Sequence, residues 1–202
     1  PVAYFAAVAF NRIAVPVLPD FSEAEIENVL EHSESTALLI SSRLTSKISA
    51  ERISKLKVLI NLDTLEVIQS QSFASVENTN PPVREELAAI IYTSGTTGNS
   101  KGVMLSHRNL CTHLYAAYKL RPSFEWDVWL SVLPLSHTME NSLSMMLPMM
   151  SGASVYYMEK APTPSLLVQA LAKVRPTTML SVPLIIEKIY KNVIQPIINK
   201  KT

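Results

Sequence analysis

Ala88-Ala89-Ile90-Ile91-Tyr92-Thr93-Ser94-Gly95-Thr96-Thr97-Gly98-Asn99-Ser100-Lys101-Gly102-Val103 joins an apolar run, a polar segment full of glycine and hydroxyls, and the start of a second apolar run. A short apolar run bounded by turn residues reads as a buried strand. The chain has four glycines, and three of them, Gly95, Gly98 and Gly102, fall in this one stretch. Glycine gives access to positive φ and lets backbone N–H groups approach a ligand closely. Thr93, Ser94, Thr96 and Thr97 add hydroxyls, and Lys101 adds an ammonium. Hydroxyl donors, free amides and one lysine are what a polyphosphate-binding loop requires. A lysine about 4 Å from a phosphate charge gains roughly 4 kcal/mol at an effective dielectric of about 20, which marks Lys101 as a main contributor. A Walker-type loop needs glycine directly before the lysine and Ser or Thr after it. Here those places hold Ser100 and Gly102, so that pattern is rejected. The plain alternative is a polar surface loop with no ligand; its position directly after a strand favours the phosphate loop.

Outward from this stretch, apolar runs alternate with amphipathic ones. Residues 15–18, 37–40, 57–61, 103–105, 129–133, 154–157 and 177–182 read as strands. Pro1 to Phe10 is apolar with no basic lead-in and reads as the end of a buried helix, not a signal peptide. Ser22 with Glu25 three residues on forms a capping box, and Ile26, Val29 and Leu30 then share one helical face. Ser106 caps a helix expected to reach about Tyr118. Further helical patterns lie near 139–150, 164–174 and 184–198. Residues 64–84 are polar, end in Pro81-Pro82 and read as a surface connection. Strand and helix in alternation imply an α/β layered fold with a largely parallel sheet.

Hydrophobic residues make up 48% of the 202 and charged residues 17%, which suits a packed domain and not a disordered chain. A net charge of +1 gives no reason to expect nucleic acid as a partner. The single cysteine, Cys111, cannot pair internally, which points to a reducing, cytoplasmic setting, and it is expected to be a buried small residue. No apolar run approaches the ~18 residues of a membrane span, which leaves peripheral membrane contact open. His107 and His113 are six apart, a spacing that puts them on different helix faces, so no metal set is identified. His32 reads as a surface residue. Five of eight methionines fall at 139, 145, 146, 149 and 150; ordinary core filling is the first reading and an adaptable acyl tunnel the second.

Tyr92-Thr93-Ser94-Gly95-Thr96-Thr97-Gly98, two residues, then Lys101-Gly102-Val103 resembles the signature of the adenylate-forming (AMP-binding) superfamily, and Met104-Leu105-Ser106-His107-Arg108-Asn109-Leu110 continues it. Ser100 departs from the proline usual there, which loosens the loop slightly because proline pre-sets φ. Leu133-Pro134-Leu135-Ser136-His137-Thr138-Met139-Glu140 resembles the second block of acyl-CoA synthetases, and Val182-Pro183-Leu184-Ile185-Ile186-Glu187-Lys188-Ile189-Tyr190 resembles long-chain fatty acyl-CoA synthetases in particular.

The resemblance implies an incomplete portion of the acyl-CoA synthetase N-terminal domain, layered αβα, with residues 1–62 as a first sheet-and-helix portion, 63–86 as a connection and 87–202 as the phosphate loop with a second portion. It implies ATP, magnesium and CoA as reactants and cofactors, a carboxylic acid as substrate, and Thr93, Ser94, Gly95, Thr96, Thr97, Gly98 and Lys101 as the triphosphate grip. His137 is implied to orient and screen the reacting carboxylate; proton abstraction is not needed, since a carboxylate is already ionised at neutral pH. Other adenylating enzymes (fatty acyl-AMP ligase, aryl-CoA ligase, amino-acid adenylation domain) and a non-catalytic phosphate-binding module stay open as rivals. The family's Tyr-Gly-x-Thr-Glu block, ribose-binding aspartate and mobile domain with its lysine are not found in these residues, and a chain opening on Pro1 is expected to be a piece or a processed product. Such a piece is expected to be inactive alone and able to self-associate through uncovered apolar surface or strand edges.

Overall fold

The computed structural model describes residues 1–71, 81–93, 101–158 and 162–199. They form two compact units, Pro1–Leu110 and Cys111–Thr202.

In the first unit, helix α1 (Val2–Ala9) precedes α2 (Glu23–His32). The expected capping box is present: Ser22 Oγ accepts from Glu25 N at 3.3 Å, and Ser22 N donates to the Glu25 carboxylate at 2.8 Å. The box fixes the start of α2 and so fixes which face carries Ile26, Val29 and Leu30, all buried. Strands β1 (Ala37–Ile40) and β2 (Val58–Asn61) pair in parallel, and β3 (Val67–Ser70) adds antiparallel to β2. Between β1 and β2 lie a 3-10 helix (Ser42–Lys47) and helix α3 (Ala50–Lys55). Strands β4 (Leu87–Thr93) and β5 (Lys101–Ser106) make an antiparallel pair. Phe21, Ile26, Val29, Leu30, Ile40, Ile48, Leu56, Leu59 and Tyr92 form the core.

Three expectations for this unit need correction. Residues 15–18 are not a strand; one parallel bridge joins Ala14 to Ala89, with Ala14 N donating to Ala88 O at 2.9 Å. Helix α1 has no buried residue. The polar connection 64–84 contains β3, where Gln69 turns its amide back to Leu56 O at 2.7 Å; its residues 72–80 lie outside the described residues.

Helix α4 (His107–Leu120) begins at the end of the first unit. In the second unit, β6 (Val128–Ser131) is the centre of a parallel sheet with β7 (Ser154–Tyr157) and β8 (Thr178–Met179) on its two sides. A π-helix (Glu140–Met146) runs on into α5 (Leu147–Met150), and helices α6 (Pro164–Val174), α7 (Pro183–Ile189) and α8 (Gln195–Asn199) follow, with a second π-turn (Tyr190–Ile194) between the last two. The strand expected over 177–182 shrinks to two residues because Pro183 opens α7. Leu130, Val132 and Leu167 form the core here, with Met179, Ile185 and Ile189 packed on it. Met145 and Met146 are buried as core filling, whereas Met149 and Met150 are half exposed. Cys111 is exposed, against the expectation of burial.

Asp127 aligns β6 with β8. Its carboxylate accepts from Phe124 N at 2.9 Å and from Thr177 Oγ1 at 2.8 Å, and Thr177 Oγ1 in turn accepts from Val128 N at 3.1 Å. These hydrogen bonds, the Phe124 amide first and then Thr177, hold the Asp127 carboxyl below its ordinary value. A depressed value contributes stability above the unfolded pKa of about 4 and loses it as pH falls through the folded value. Asp127→Asn is therefore expected to be less stable than the parent at pH 6 by about 1 kcal/mol. The gap should close below pH ~4, as thermal melts across pH would show.

Candidate functional site

The hairpin β4–β5 carries the root of the glycine-rich segment. Tyr92 pairs with Gly102 and Thr93 with Lys101, so the first hydroxyl and the lysine of the motif occupy the last rung. Residues directly opposite in an antiparallel pair project their Cβ atoms to the same face about 5 Å apart. Thr93 and Lys101 are both exposed. Ser94, Gly95, Thr96, Thr97 and Gly98 lie outside the described residues.

One rung further in, the pairing explains Gly102. A Cβ there would lie 2.9 Å from Ile90 Cγ2 and 3.2 Å from Tyr92 Cζ. The Tyr92 ring lies across the space that a side chain at 102 would fill. Tyr92 is buried in the first unit's core, and its hydroxyl shares a 2.7 Å hydrogen bond with His32 Nδ1. Burial pushes its phenol above the ordinary value. His32 is exposed, as the sequence reading has it, yet it anchors the strand that leads into the loop. At the other end of β5, Ser106 Oγ accepts from Asn109 N at 3.2 Å while Ser106 N donates to Asn109 Oδ1 at 2.9 Å. This reciprocal cap starts α4 directly after the strand.

His137 belongs to the second unit. It lies in the turn between β6 and the π-helix and is exposed, with no hydrogen-bond partner for its ring among the described residues. The turn is held by polar groups that the sequence reading did not single out. His137 N donates to Pro134 O at 2.9 Å, and Asn141 N donates to His137 O at 2.9 Å. Asn141 Nδ2 reaches Leu135 O at 3.0 Å, and Ser142 Oγ donates to Thr138 O at 2.9 Å. That leaves Ser142 Oγ to accept from His113 Nε2 at 3.1 Å. Glu140 is fully buried; its Oε1 accepts from Ser131 Oγ at 2.6 Å, Val132 N at 2.9 Å and Leu133 N at 3.4 Å. The available signal was a glutamate followed by asparagine and serine at the head of a Leu- and Met-rich helix, where solvent-facing polar residues are the default expectation.

Among the described residues no group of three or more His, Cys, Asp or Glu side chains is placed to hold a metal. The exposed pair Thr93 and Lys101 offers a hydroxyl and a cation, a donor set suited to phosphate oxygens. No helix of the described residues is long and apolar enough to cross a membrane.

Among solved structures, the ATP-bound RpMatB-BxBclM chimera B3 superposes with a TM-score of 0.77 at 23% identity, covering 95% of this chain and 38% of that one. The o-succinylbenzoate coenzyme A synthetase (MenE) of Bacillus subtilis in complex with ATP and magnesium gives the same TM-score, identity and coverage. These likenesses show the α/β fold. Among curated proteins, the chain is 37% identical over 128 residues to the long-chain-fatty-acid–CoA ligase ACSBG2 of Gallus gallus, a match covering 61% of this chain and 16% of that protein. It is 29% identical over 217 residues to the long-chain-fatty-acid–CoA ligase heimdall of Drosophila melanogaster, covering 95% of this chain and 32% of that protein. The chain thus spans less than a third of the length of either relative. The family model of AMP-binding enzymes matches residues 1–201. With that match over nearly its whole length, on the motif that the hairpin carries, the chain belongs to the AMP-binding enzyme family.

Proposed function

We infer that the chain is part of an ATP-dependent acid–thiol ligase that activates a fatty acid as its acyl-adenylate and transfers the acyl group to CoA. The observation that carries this reading is the last rung of the hairpin, Thr93 opposite Lys101, with the motif Ser94 to Ser100 strung between them. The family match and the fatty-acid ligases among its relatives support it.

A carboxylate oxygen attacks the α-phosphorus and pyrophosphate leaves; the CoA thiolate then attacks the acyl carbon and AMP leaves. The first step places growing negative charge on the departing pyrophosphate. Lys101 and the hydroxyls of Thr93, Ser94, Thr96 and Thr97, with Gly95 and Gly98 admitting close backbone approach, hold the triphosphate and meet that charge. Magnesium, when bound to the nucleotide, would neutralise part of it. His137 orients the carboxylate from its exposed turn. Contacts to adenine and ribose and the thiol step fall to residues beyond this chain, in keeping with its share of the relatives' length.

Acid-dependent exchange of pyrophosphate into ATP, measured on a full-length protein that carries these residues with a panel of fatty, aryl and amino acids, tests the reading. Exchange driven by fatty acids is expected. Exchange driven only by amino or aryl acids would move the assignment to another adenylating enzyme, and no exchange with any acid would contradict it. The 202-residue chain alone is expected to form no acyl-CoA.

A further inference from the structure

Between Ser131, the last residue of β6, and Glu140, the first of the π-helix, eight residues follow no strand ladder, and His137 is among them. Such a segment keeps one conformation only if its backbone groups find partners. Here, beside the main-chain bonds from His137 N to Pro134 O and from Asn141 N to His137 O, the partners are side chains of three successive residues, Glu140, Asn141 and Ser142, each buried at 4% exposure or less. All three bond back to the segment just before them. Glu140 Oε1 gathers Ser131 Oγ, Val132 N and Leu133 N at the root, Asn141 takes Leu135 O at the shoulder, and Ser142 takes Thr138 O behind the histidine. Burying a carboxylate is costly without donors, and among the described residues no cation pairs with Glu140. Its three donors all come from the strand end that leads to His137. Short π-segments of this kind recur at functional positions.

We propose that Glu140 and Asn141 are positioning residues for His137, a role that rests on the ligase reading of that histidine: they pin both flanks of the turn so that the imidazole is presented from a fixed backbone. Neither touches substrate. Glu140 acts through Val132 and Leu133, and Asn141 through its side-chain bond to Leu135 O; the main-chain bond from Asn141 N to His137 O is one that any residue at 141 with an N–H would make.

Amide hydrogen exchange on the 202-residue chain, read by NMR, tests this with no ligase activity involved, so its outcome is separate from that of the acid panel. The informative proton is the His137 amide. It bonds to Pro134 O and to neither proposed residue, so it speeds up only if the whole turn loosens. In Glu140→Leu, close in size but without acceptors, the His137 amide is expected to exchange about tenfold faster or more relative to the Leu130 amide of β6. Glu140→Gln keeps an oxygen for Val132 N and should restore the parent ratio to within about twofold. Asn141→Ala gives the second arm should the leucine variant not fold, with the same expected change. A His137-to-Leu130 ratio unchanged in Asn141→Ala, or raised equally in Glu140→Gln and Glu140→Leu, would overturn the proposal.

Discussion

Replacing Lys101 with methionine in a full-length protein carrying these residues is expected to slow acid-dependent pyrophosphate exchange by about 10²–10³-fold, the loss typical of one preorganised group that meets transition-state charge. Methionine keeps most of the side-chain length and removes the charge. Lys101 is exposed at the start of β5, and its side chain makes no ion pair or hydrogen bond among the described residues, so the fold has little to lose. Melting temperature should therefore stay within a degree or two of the parent. The decrease should lie mainly in the rate and not in acid affinity, because the charge being met grows as pyrophosphate separates. A variant that exchanges at the parent rate would remove Lys101 from the mechanism.

Gly102→Val is expected to have the largest effect on folding. The first added carbon would already lie 2.9 Å from Ile90 Cγ2, and two further methyl groups must then enter space that the Tyr92 ring occupies. Overpacking of this kind costs about 1–3 kcal/mol. The damage is not confined to the loop, because Tyr92 belongs to the same core as Val29, Leu30 and Leu59. Chemical denaturation measures the loss directly. In an Ile90→Ala background the same substitution should cost less, since the nearest clashing atom is gone; equal cost in both backgrounds would refute the packing account. The third glycine of the motif thus has a structural reason independent of any ligand: the cross-strand neighbour of Tyr92 must leave room for its ring.

Much of the architecture was readable because local signals and packing agree. The capping box at Ser22 and Glu25 sets the register of α2, and the apolar run at 88–92 is the strand that the core requires. Helix α6 spans Pro164–Val174, the residues whose periodicity marks it. Where the reading failed, partner availability decided. Residues 15–18 have strand-like composition, yet only Ala14 meets a partner, so a single bridge forms. Residues 67–70 look like polar connection, yet the edge of β2 accepts them as β3. The helical pattern near 139–150 covers the π-helix and α5, but polar residues at the head of a helix are expected to face solvent, which is why buried Glu140, Asn141 and Ser142 escaped notice. At the candidate site the motif pointed to Thr93 and Lys101 by chemistry, and the hairpin register adds that they share a rung. His137 was legible only through its neighbours' resemblance to a known block; what holds its turn in place was not legible, because side-chain bonds to loop carbonyls leave no periodic trace.

A crystal structure of the full-length protein with ATP and magnesium most directly tests whether the segment from Thr93 to Lys101 grips a nucleotide's phosphates. The account predicts phosphate oxygens within hydrogen-bond reach of Lys101 Nζ and of hydroxyls and amides between Thr93 and Gly98. A nucleotide bound elsewhere, with Lys101 turned to solvent, would contradict it.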